Sequence, residues 1–173
     1  MGLLDKVLKG FLGDKNATDL KEVKKVVNKI KAVEPKIQEL SDDGLRAKTA
    51  EFKDKIKSAD AILIATPEYN YSIPGVLKNA MDWASRPYGD NSFDGKPLAI
   101  MGASIGNIAT ARAQYHLRQT CVFLNMHVVN QPEVMVGVAQ DKIDSNGVLT
   151  DEKTKEVIKN LLEKLVELTK KLK

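Results

Sequence analysis

The stretch ILIATPEYNYSIPGVLKNAMDW, residues 62–83, decides the fold of this 173-residue chain. It opens with a short apolar run rich in isoleucine, which is typical of a strand buried on both faces of a parallel sheet. The strand runs into a proline-rich turn, and Pro74 and Gly75 then precede a helix predicted over residues 76–84. A buried strand, a turn and a helix in this order begin a βαβ unit.

The alternation of strands and helices continues to the end of the chain, and it predicts an α/β fold with a short parallel sheet of about three strands. The remaining predicted elements are strand 98–104 (LAIMGAS), helix 110–124, strand 126–129 (MHVV), a stretch 132–139 (PEVMVGVA) that extends or follows it, and an amphipathic helix that starts at Thr150 or Asp151.

The first third of the chain has only helical patterns. Residues 1–13 place apolar side chains at helical spacing, Thr18 can cap a second helix, and Ser41 with Asp42 offers the next N-cap. We therefore expect a helical segment over residues 1–57 and an α/β domain over residues 58–173.

Charge and composition exclude several classes of function. Residues 1–57 contain 14 lysines and arginines against 10 acidic residues, and the rest of the chain is neutral with 13 of each. Because the lysines are interleaved with acids, they indicate solvated helix faces rather than a nucleic-acid site. No apolar run approaches the roughly 18 residues of a membrane span, and charges interrupt the N-terminus where a signal peptide would be apolar. We expect a cytoplasmic protein without stable membrane insertion.

Cysteine and histidine give no sign of a metal site or a nucleophile. The single cysteine, Cys121, lies in the apolar run CVFL and is predicted to be a packed thiol without a disulfide partner. His116 and His127 are likewise interpreted as packing residues, since no Ser-His-Asp or Cys-His arrangement accompanies them.

Two loops are candidates for a binding site because each follows a predicted strand, and ligands of open parallel sheets bind beyond the carboxyl ends of the strands. The loop in TPEYNYSIPG (66–75) combines a stiff turn, a flat ring and hydrogen-bonding groups, which suits a flat heteroaromatic ligand or, equally, a purely structural turn. The loop in GASIGNIAT (102–110) offers backbone N–H groups and small residues, but it matches neither the Walker loop nor G-x-G-x-x-G.

Residues 59 to about 166 resemble the NADPH-dependent FMN reductase family, which includes quinone, chromate and azo-dye reductases. The resemblance implies a flavodoxin-like three-layer fold, FMN as the cofactor that carries the hydride chemistry, NAD(P)H as hydride donor and a small-molecule electron acceptor. It also implies that Pro67, Glu68, Tyr69 and Asn70 hold the flavin, with Ser104 and Gly106 nearby. The matching segments are ADAILIATPEYNYSIPGVLKNAMDWASRP, FDGKPLAIMGAS, TARAQYHLRQTCVFLNMHVVNQPEVMV and LTDEKTKEVI.

The chain departs from that family at its beginning, where the family has a strand, an FMN phosphate-binding loop, a helix and a further strand. We therefore expect a truncated flavodoxin-like fold that leaves strand 62–65 at a bare sheet edge and binds FMN weakly. Residues 13–57 instead resemble the N-terminus of the preprotein translocase ATPase SecA, through KNATDLKEVKKVVNKIKAVEPKIQELSDDGLRAKTAEFKDKI. None of the nucleotide-binding motifs of that ATPase occurs, so no ATPase activity is expected.

Three interpretations of function stay open. The first is an NAD(P)H-dependent flavin oxidoreductase. The second is a non-catalytic flavodoxin-like remnant or interaction module, and the third is a translocase-associated segment.

Assembly is a further expectation from the resemblance, because reductases of this family are dimers or tetramers. We expect Arg112 and Glu133 to pair across a two-fold interface. The expectation also rests on five residues that supply more apolar surface than a three-stranded sheet can bury alone: Met126, Val128, Val134, Met135 and Val136.

Overall fold

The computed structural model describes residue 28 and residues 32–173, and the helices predicted near Met1 and Thr18 begin outside them. The chain divides into two compact units, Met1–Lys48 and Thr49–Lys173. Residues 32–38 are helical, and helix α1 spans Asp42–Ser58. The predicted cap at Ser41 is confirmed, since its hydroxyl accepts a hydrogen bond from the Gly44 N–H at 3.2 Å.

The predicted alternation of strands and helices follows α1. Its elements are β1 (Ile62–Ala65), α2 (Gly75–Ala84), β2 (Pro97–Ala103), α3 (Ala111–Phe123), β3 (His127–Val128), β4 (Val134–Val136), a 3₁₀ turn (Ala139–Asp141) and α4 (Glu152–Leu172). Helix α4 is capped as the sequence predicts, because the Asp151 carboxylate accepts from the Thr154 N–H at 2.9 Å.

All strands of the sheet are parallel, and β2 is its central member. Strand β1 pairs with one side of β2, with Ile62 opposite Leu98. Strands β3 and β4 share the other side, β3 at the start of β2 and β4 at its end. Four short strands therefore fill three positions, which confirms the predicted sheet.

Alternate residues of β2 face two different layers of helices. Leu98 and Ile100 pack into one core with residues of α2 and α3, whereas Ala99 lies in a second core with Leu161 and Leu165 of α4. The four residues of β2 from Pro97 to Ile100 are buried, as predicted for a strand covered on both faces.

Strand β1 is less buried than its apolar sequence predicts. Ile62 and Ile64 are half-buried, but Leu63 is 41% exposed and Ala65 is also exposed. The prediction of burial on both faces is therefore wrong for β1. The reason is its position: within the described residues β1 pairs with β2 alone, at the edge of the sheet.

Two predictions about side chains in this domain are wrong, and one is confirmed. His116 and His127 are exposed and do not pack in the core. The residues expected to form an apolar interface are already covered within the chain, since Met126, Val134 and Val136 are buried and Val128 and Met135 are half-buried. Cys121 is fully buried, and burial raises the pKa of its thiol to about 11.

No helix in residues 32–173 combines the length and apolar character that crossing a membrane requires.

Candidate functional site at the carboxyl edge of the sheet

The loops beyond the carboxyl ends of β1, β2 and β4 contain most of the backbone strain in the described part of the chain. Non-glycine residues there with positive φ are Asn70 (50°), Tyr71 (68°), Ala109 (56°) and Val138 (50°). The fifth described residue of this kind, Asn125, lies just beyond α3. Such conformations cost about 1–3 kcal/mol each and cluster at functional sites, so this edge is the candidate site.

The loop after β1 ends in a tight turn that presents Tyr69 and Asn70. The Tyr69 N–H donates to the Ser72 carbonyl at 2.9 Å, and the Ser72 N–H donates back to Tyr69 at 3.0 Å. Positive φ at both central residues, Asn70 and Tyr71, matches a type I′ turn. The turn leaves the rings of Tyr69 and Tyr71 62% and 64% exposed, on a rim that a flat ligand can reach.

Glu68 points into the protein rather than toward a ligand. Its side chain is only 10% exposed. One carboxylate oxygen accepts from the Ala113 N–H at 3.0 Å, and the other accepts from the Arg112 guanidinium at 3.2 Å. Burial by itself raises the pKa of Glu68, but these hydrogen bonds outweigh it and hold the pKa below its ordinary value.

The first turns of α3 contact the same loop at two more points. The guanidinium of Arg112 lies over the ring of Tyr71, 3.8 Å from its centroid. The Nδ1 atom of His116 lies 3.0 Å from the Ser72 hydroxyl. Side chains of α3 therefore support the exposed turn at residues 69–72.

The loop after β2 is held partly by hydrogen bonds within the loop itself. The Ser104 hydroxyl accepts from the Gly106 N–H at 3.2 Å, and the Gly106 carbonyl accepts from the Ala109 N–H at 3.1 Å. A Cβ atom added at Gly106 would meet only the Ser104 hydroxyl, at 3.7 Å. Open space at Gly106 is what close approach of a ligand to the backbone requires.

Gly102 brings the two loops together. A Cβ atom at this position would lie 2.3 Å from the Thr66 carbonyl oxygen and 2.4 Å from the Thr110 hydroxyl. The first residue after β1 and the last residue before α3 therefore both pack against β2 at Gly102. The predicted residues 67–70 and 104–106 share one edge of the sheet.

A third loop that the sequence did not predict as part of the site, formed by Gly137 and Val138 after β4, lies at the same edge. The Val136 carbonyl accepts from Ser104 N–H at 2.9 Å, and the Ala139 N–H donates to the Ser104 carbonyl at 3.0 Å. A Cβ atom at Gly137 would lie 2.9 Å from the Asn107 carbonyl. A signal was available, because Gly137 lies in the predicted stretch 132–139, directly after the apolar run Val134–Val136.

The pairing of Arg112 with Glu133 across a two-fold interface stays a prediction, and within the chain both residues have other partners. Arg112 contacts Glu68, while a Glu133 oxygen lies 3.9 Å from the Nε atom of Arg118. Among residues 32–173, no cluster of three or more His, Cys, Asp or Glu side chains could hold a metal ion.

Comparison with known proteins identifies the family of this chain. The model of the NADPH-dependent FMN reductase family matches residues 5–141. The chain belongs to this family. In that reductase family, the NAD(P)H-dependent FMN reductase PA1204 of Pseudomonas aeruginosa is 59% identical over 114 residues, which cover 66% of this chain and 61% of the relative. A 2-hydroxy-1,4-benzoquinone reductase of a Burkholderia species is 50% identical over 113 residues, covering 65% of this chain and 62% of the relative.

A solved structure supports the fold of this reductase-family chain. The flavoenzyme NAD(P)H:(acceptor) oxidoreductase FerB of Paracoccus denitrificans superposes with a TM-score of 0.67 at 37% identity, covering 76% of this chain and 74% of FerB. The prediction of a flavodoxin-like fold with a short parallel sheet is thus confirmed. The chain spans about three fifths of the length of the two curated relatives described above.

Proposed function

We propose that the chain is an NAD(P)H-dependent flavin oxidoreductase that reduces small electron acceptors of the quinone, chromate or azo type. The observation that carries the proposal is the exposed, strained turn at Tyr69 and Asn70, held beside the open backbone of Gly106 at the carboxyl edge of the sheet. The names of the relatives, an FMN reductase and a benzoquinone reductase, support the same chemistry.

The residues at this edge fit the flavin ring better than the flavin phosphate. Tyr69 and Asn70 offer an exposed ring and an amide, and Gly106 leaves room for a flat group. Arg112 is a cation at this edge that could bind a phosphate, but its guanidinium already pairs with Glu68 and lies over the ring of Tyr71. We therefore propose that FMN binds through its ring more than through its phosphate.

In this proposal Pro67, Tyr69 and Asn70 line one side of the ring, and Ser104 and Gly106 lie at another. Bound FMN would supply the hydride-transfer chemistry, with NAD(P)H as the donor. The protein residues bind and orient the ring, and Pro67 stiffens the turn that does so. The resemblance also suggests Glu68 as a flavin contact. Its carboxylate is hydrogen-bonded to α3, so in this proposal Glu68 supports the turn and does not contact the ring.

A titration that compares riboflavin with FMN tests the proposal. Hydrogen bonds to a charged phosphate contribute about 1.5–3 kcal/mol each, so losing two or three removes roughly 5 kcal/mol, or three to four decades of affinity. We expect quenching of flavin fluorescence with dissociation constants for riboflavin and FMN within about tenfold of each other. A preference for FMN of a hundredfold or more would contradict ring-dominated binding, and no binding of either flavin would refute the proposed function.

Substitution of the turn tests where the flavin binds. We expect Tyr69→Ala combined with Asn70→Ala to abolish riboflavin binding, because both proposed ring contacts are removed. The control is Val148→Ala, which removes an exposed side chain outside these loops and outside the aromatic face defined below. Unchanged affinity in the double variant would mean that the site lies elsewhere.

The non-catalytic alternative and the N-terminal alternative make different predictions. A flavodoxin-like remnant would bind no flavin in the titration above. We further propose the division into a helical segment 1–57 and a reductase-like domain 58–173, and a cytoplasmic location. The resemblance of residues 13–57 to SecA stays a prediction. Expressing residues 49–173, the second compact unit, tests whether the residues before it are needed: flavin affinity equal to that of the whole chain would show that they are dispensable for binding.

Self-association is the last part of the proposal, and it moves to a different surface from the one the sequence suggested. We define the aromatic face as the exposed rings of Tyr88, in the turn after α2, and Phe123, the last residue of α3. Tyr88 and Phe123 line one groove, whose rim includes both charges of the Lys78–Asp82 pair. A rim with both signs is self-complementary, which favours a second copy of the chain as the partner.

The size of the aromatic face is compatible with a dimer. Aromatic side chains bury about 150–250 Å² each, so the two exposed rings offer about 300–500 Å², roughly half of the 800 Å² per partner in a standard interface. Light scattering after size exclusion should give twice 19.1 kDa, and Tyr88→Lys with Phe123→Lys should restore 19.1 kDa. Val166→Lys, at an exposed valine of α4, is the control that should stay dimeric. A wild-type monomer at micromolar concentration would contradict the dimer.

A further inference from the structure

Helix α3 begins without a cap of its own. The first N–H groups of a helix have no partner within the helix, and a side chain at the N-cap usually satisfies one of them. Thr110 occupies the N-cap, but its side chain makes no capping bond and its hydroxyl accepts from the Gln114 amide instead. The oxygen that accepts from the Ala113 N–H comes from Glu68, 45 residues earlier in the chain.

The same carboxylate binds a second group of the helix. Its other oxygen accepts from Arg112, and Arg112 in turn lies over the ring of Tyr71. The Glu68 carboxylate thus connects the residue before the turn to the start of α3. Through Arg112 it is also connected to Tyr71 in the middle of the turn. The positive end of the helix dipole adds to the stabilisation of this negative charge.

These contacts also connect the two loops of the candidate site. Helix α3 starts directly after the loop 104–110, so a residue bound to its first turn is held at a fixed distance from that loop. The turn at 69–72 is held at the same time, because Glu68 directly precedes it. His116 adds a contact to Ser72 one turn further along α3.

We propose that Glu68 is a positioning residue that fixes the turn at residues 69–72 against the first turn of α3 and thereby sets the spacing between Tyr69–Asn70 and Ser104–Gly106. The relevance of that spacing to flavin rests on the proposed function. The positioning itself does not, and the experiment separates the two.

Hydrogen exchange measured by NMR on Glu68→Ala and Glu68→Gln tests the positioning. The N–H groups of Tyr69 and Ser72 bond to each other's carbonyls, so they report directly on the turn. We expect them to exchange at least tenfold faster in Glu68→Ala, which corresponds to about 1.4 kcal/mol. Glu68→Gln should give a smaller change, because its amide oxygen still accepts from Ala113. The amides of β2 report global stability, and the effect is read after correction for any change there.

The control is Glu133→Ala. Glu133 contacts Arg118, which is a residue of α3 further from the turn at residues 69–72 than Arg112. This variant should leave the exchange of Tyr69 and Ser72 unchanged. Unchanged exchange of Tyr69 and Ser72 in Glu68→Ala would overturn the proposal. If the Glu68→Ala protein fails to fold, Glu68→Gln decides, and unchanged exchange in that variant would overturn the proposal in the same way.

A riboflavin titration of the same variants tests the connection to the site. We expect the dissociation constant to rise at least tenfold in Glu68→Ala, with partial recovery in Glu68→Gln. Faster exchange with unchanged riboflavin affinity would overturn the claim that the spacing serves the ligand. If the wild-type chain binds no riboflavin, the proposed function fails, while the exchange rates still decide whether Glu68 positions the turn.

Discussion

The two ends of the β-sheet are built differently, although the same strands reach both. At the amino end, left-handed backbone falls on Gly89, Gly95 and Asn125, which adopt it readily. At the carboxyl end, Tyr71, Ala109 and Val138 adopt it, and they do so at a cost. The chain therefore accepts strain at one end and avoids it at the other.

Hydrogen bonding follows the same division. At the amino end, Lys96 donates to the carbonyls of Lys57 and Ala59 at 2.5 and 2.7 Å, and the side chain of Asn91 donates to the Leu124 carbonyl at 2.8 Å. These bonds tie neighbouring elements together. The carboxyl end instead leaves Tyr69 exposed above a buried support. The amino end therefore serves stability, whereas the carboxyl end exposes side chains that a ligand can reach.

The largest expected effect is at Gly102, where the carboxyl end is most tightly packed. Gly102→Ala places a methyl group 2.3 Å from the Thr66 carbonyl oxygen, which belongs to the backbone and cannot move without β1. We expect a loss of about 3 kcal/mol in the free energy of unfolding, measured by urea denaturation. Gly75→Ala is the control, since a Cβ atom there meets nothing within 4 Å; at the first residue of α2, alanine should leave stability unchanged or raise it by up to about 1 kcal/mol. Equal effects of the two substitutions would contradict close packing at Gly102.

Glycine substitutions at two nearby alanines test the strain. Their effects on stability should be smaller than that of Gly102→Ala and opposite in sign to each other. Ala109 has φ of 56°, whereas Ala111 is the first residue of α3. Relief of the left-handed conformation should make Ala109→Gly more stable by about 0.5 kcal/mol, after the entropy of the added glycine is subtracted. Ala111→Gly should cost about 0.5–1 kcal/mol, because glycine weakens a helix. Thermal denaturation of both variants decides it, and destabilisation by both would mean that Ala109 is not strained.

The smallest expected effect is an acid sensitivity at the amino end. Hydrogen bonds from Lys53 and Lys57 lower the pKa of Asp90 from 3.8 to about 2. A lowered pKa contributes stability that is complete above the unfolded value and is lost as the pH falls toward 2. Urea denaturation between pH 4 and pH 2 should therefore show a steeper loss for wild type than for Asp90→Asn. Parallel pH profiles would remove Asp90 from the interactions that hold this end.

The sequence predicts the order of elements well because local patterns determine them. The apolar runs at residues 62–65 and 98–103, the cap at Asp151 and the glycine-bounded loops are each recognisable within a few residues. The exposure of Leu63 does not follow from the local pattern of β1, since it depends on what lies beside β1 in the sheet, but it agrees with the bare sheet edge that the family resemblance predicted for this strand.

The candidate site was predictable in its location but not in its support. Tyr69, Asn70, Ser104 and Gly106 follow strands, and the carboxyl ends of parallel strands meet at one edge. The role of Glu68 depends on a contact with Ala113 that spans 45 positions, and no periodicity or spacing marks such a pair. His116 was misjudged for the same reason, because its partner Ser72 belongs to a distant loop.

An NMR titration of ¹⁵N-labelled protein with riboflavin tests the central claim most directly, since it reports on both ends of the sheet at once. We predict that the largest shifts fall on the amides of Tyr69, Asn70, Ser104 and Gly106, while those of Gly95 and Asn125 at the amino end stay unchanged. Largest shifts at the amino end or along α4, or no shifts at saturating riboflavin, would contradict a flavin site at the carboxyl edge.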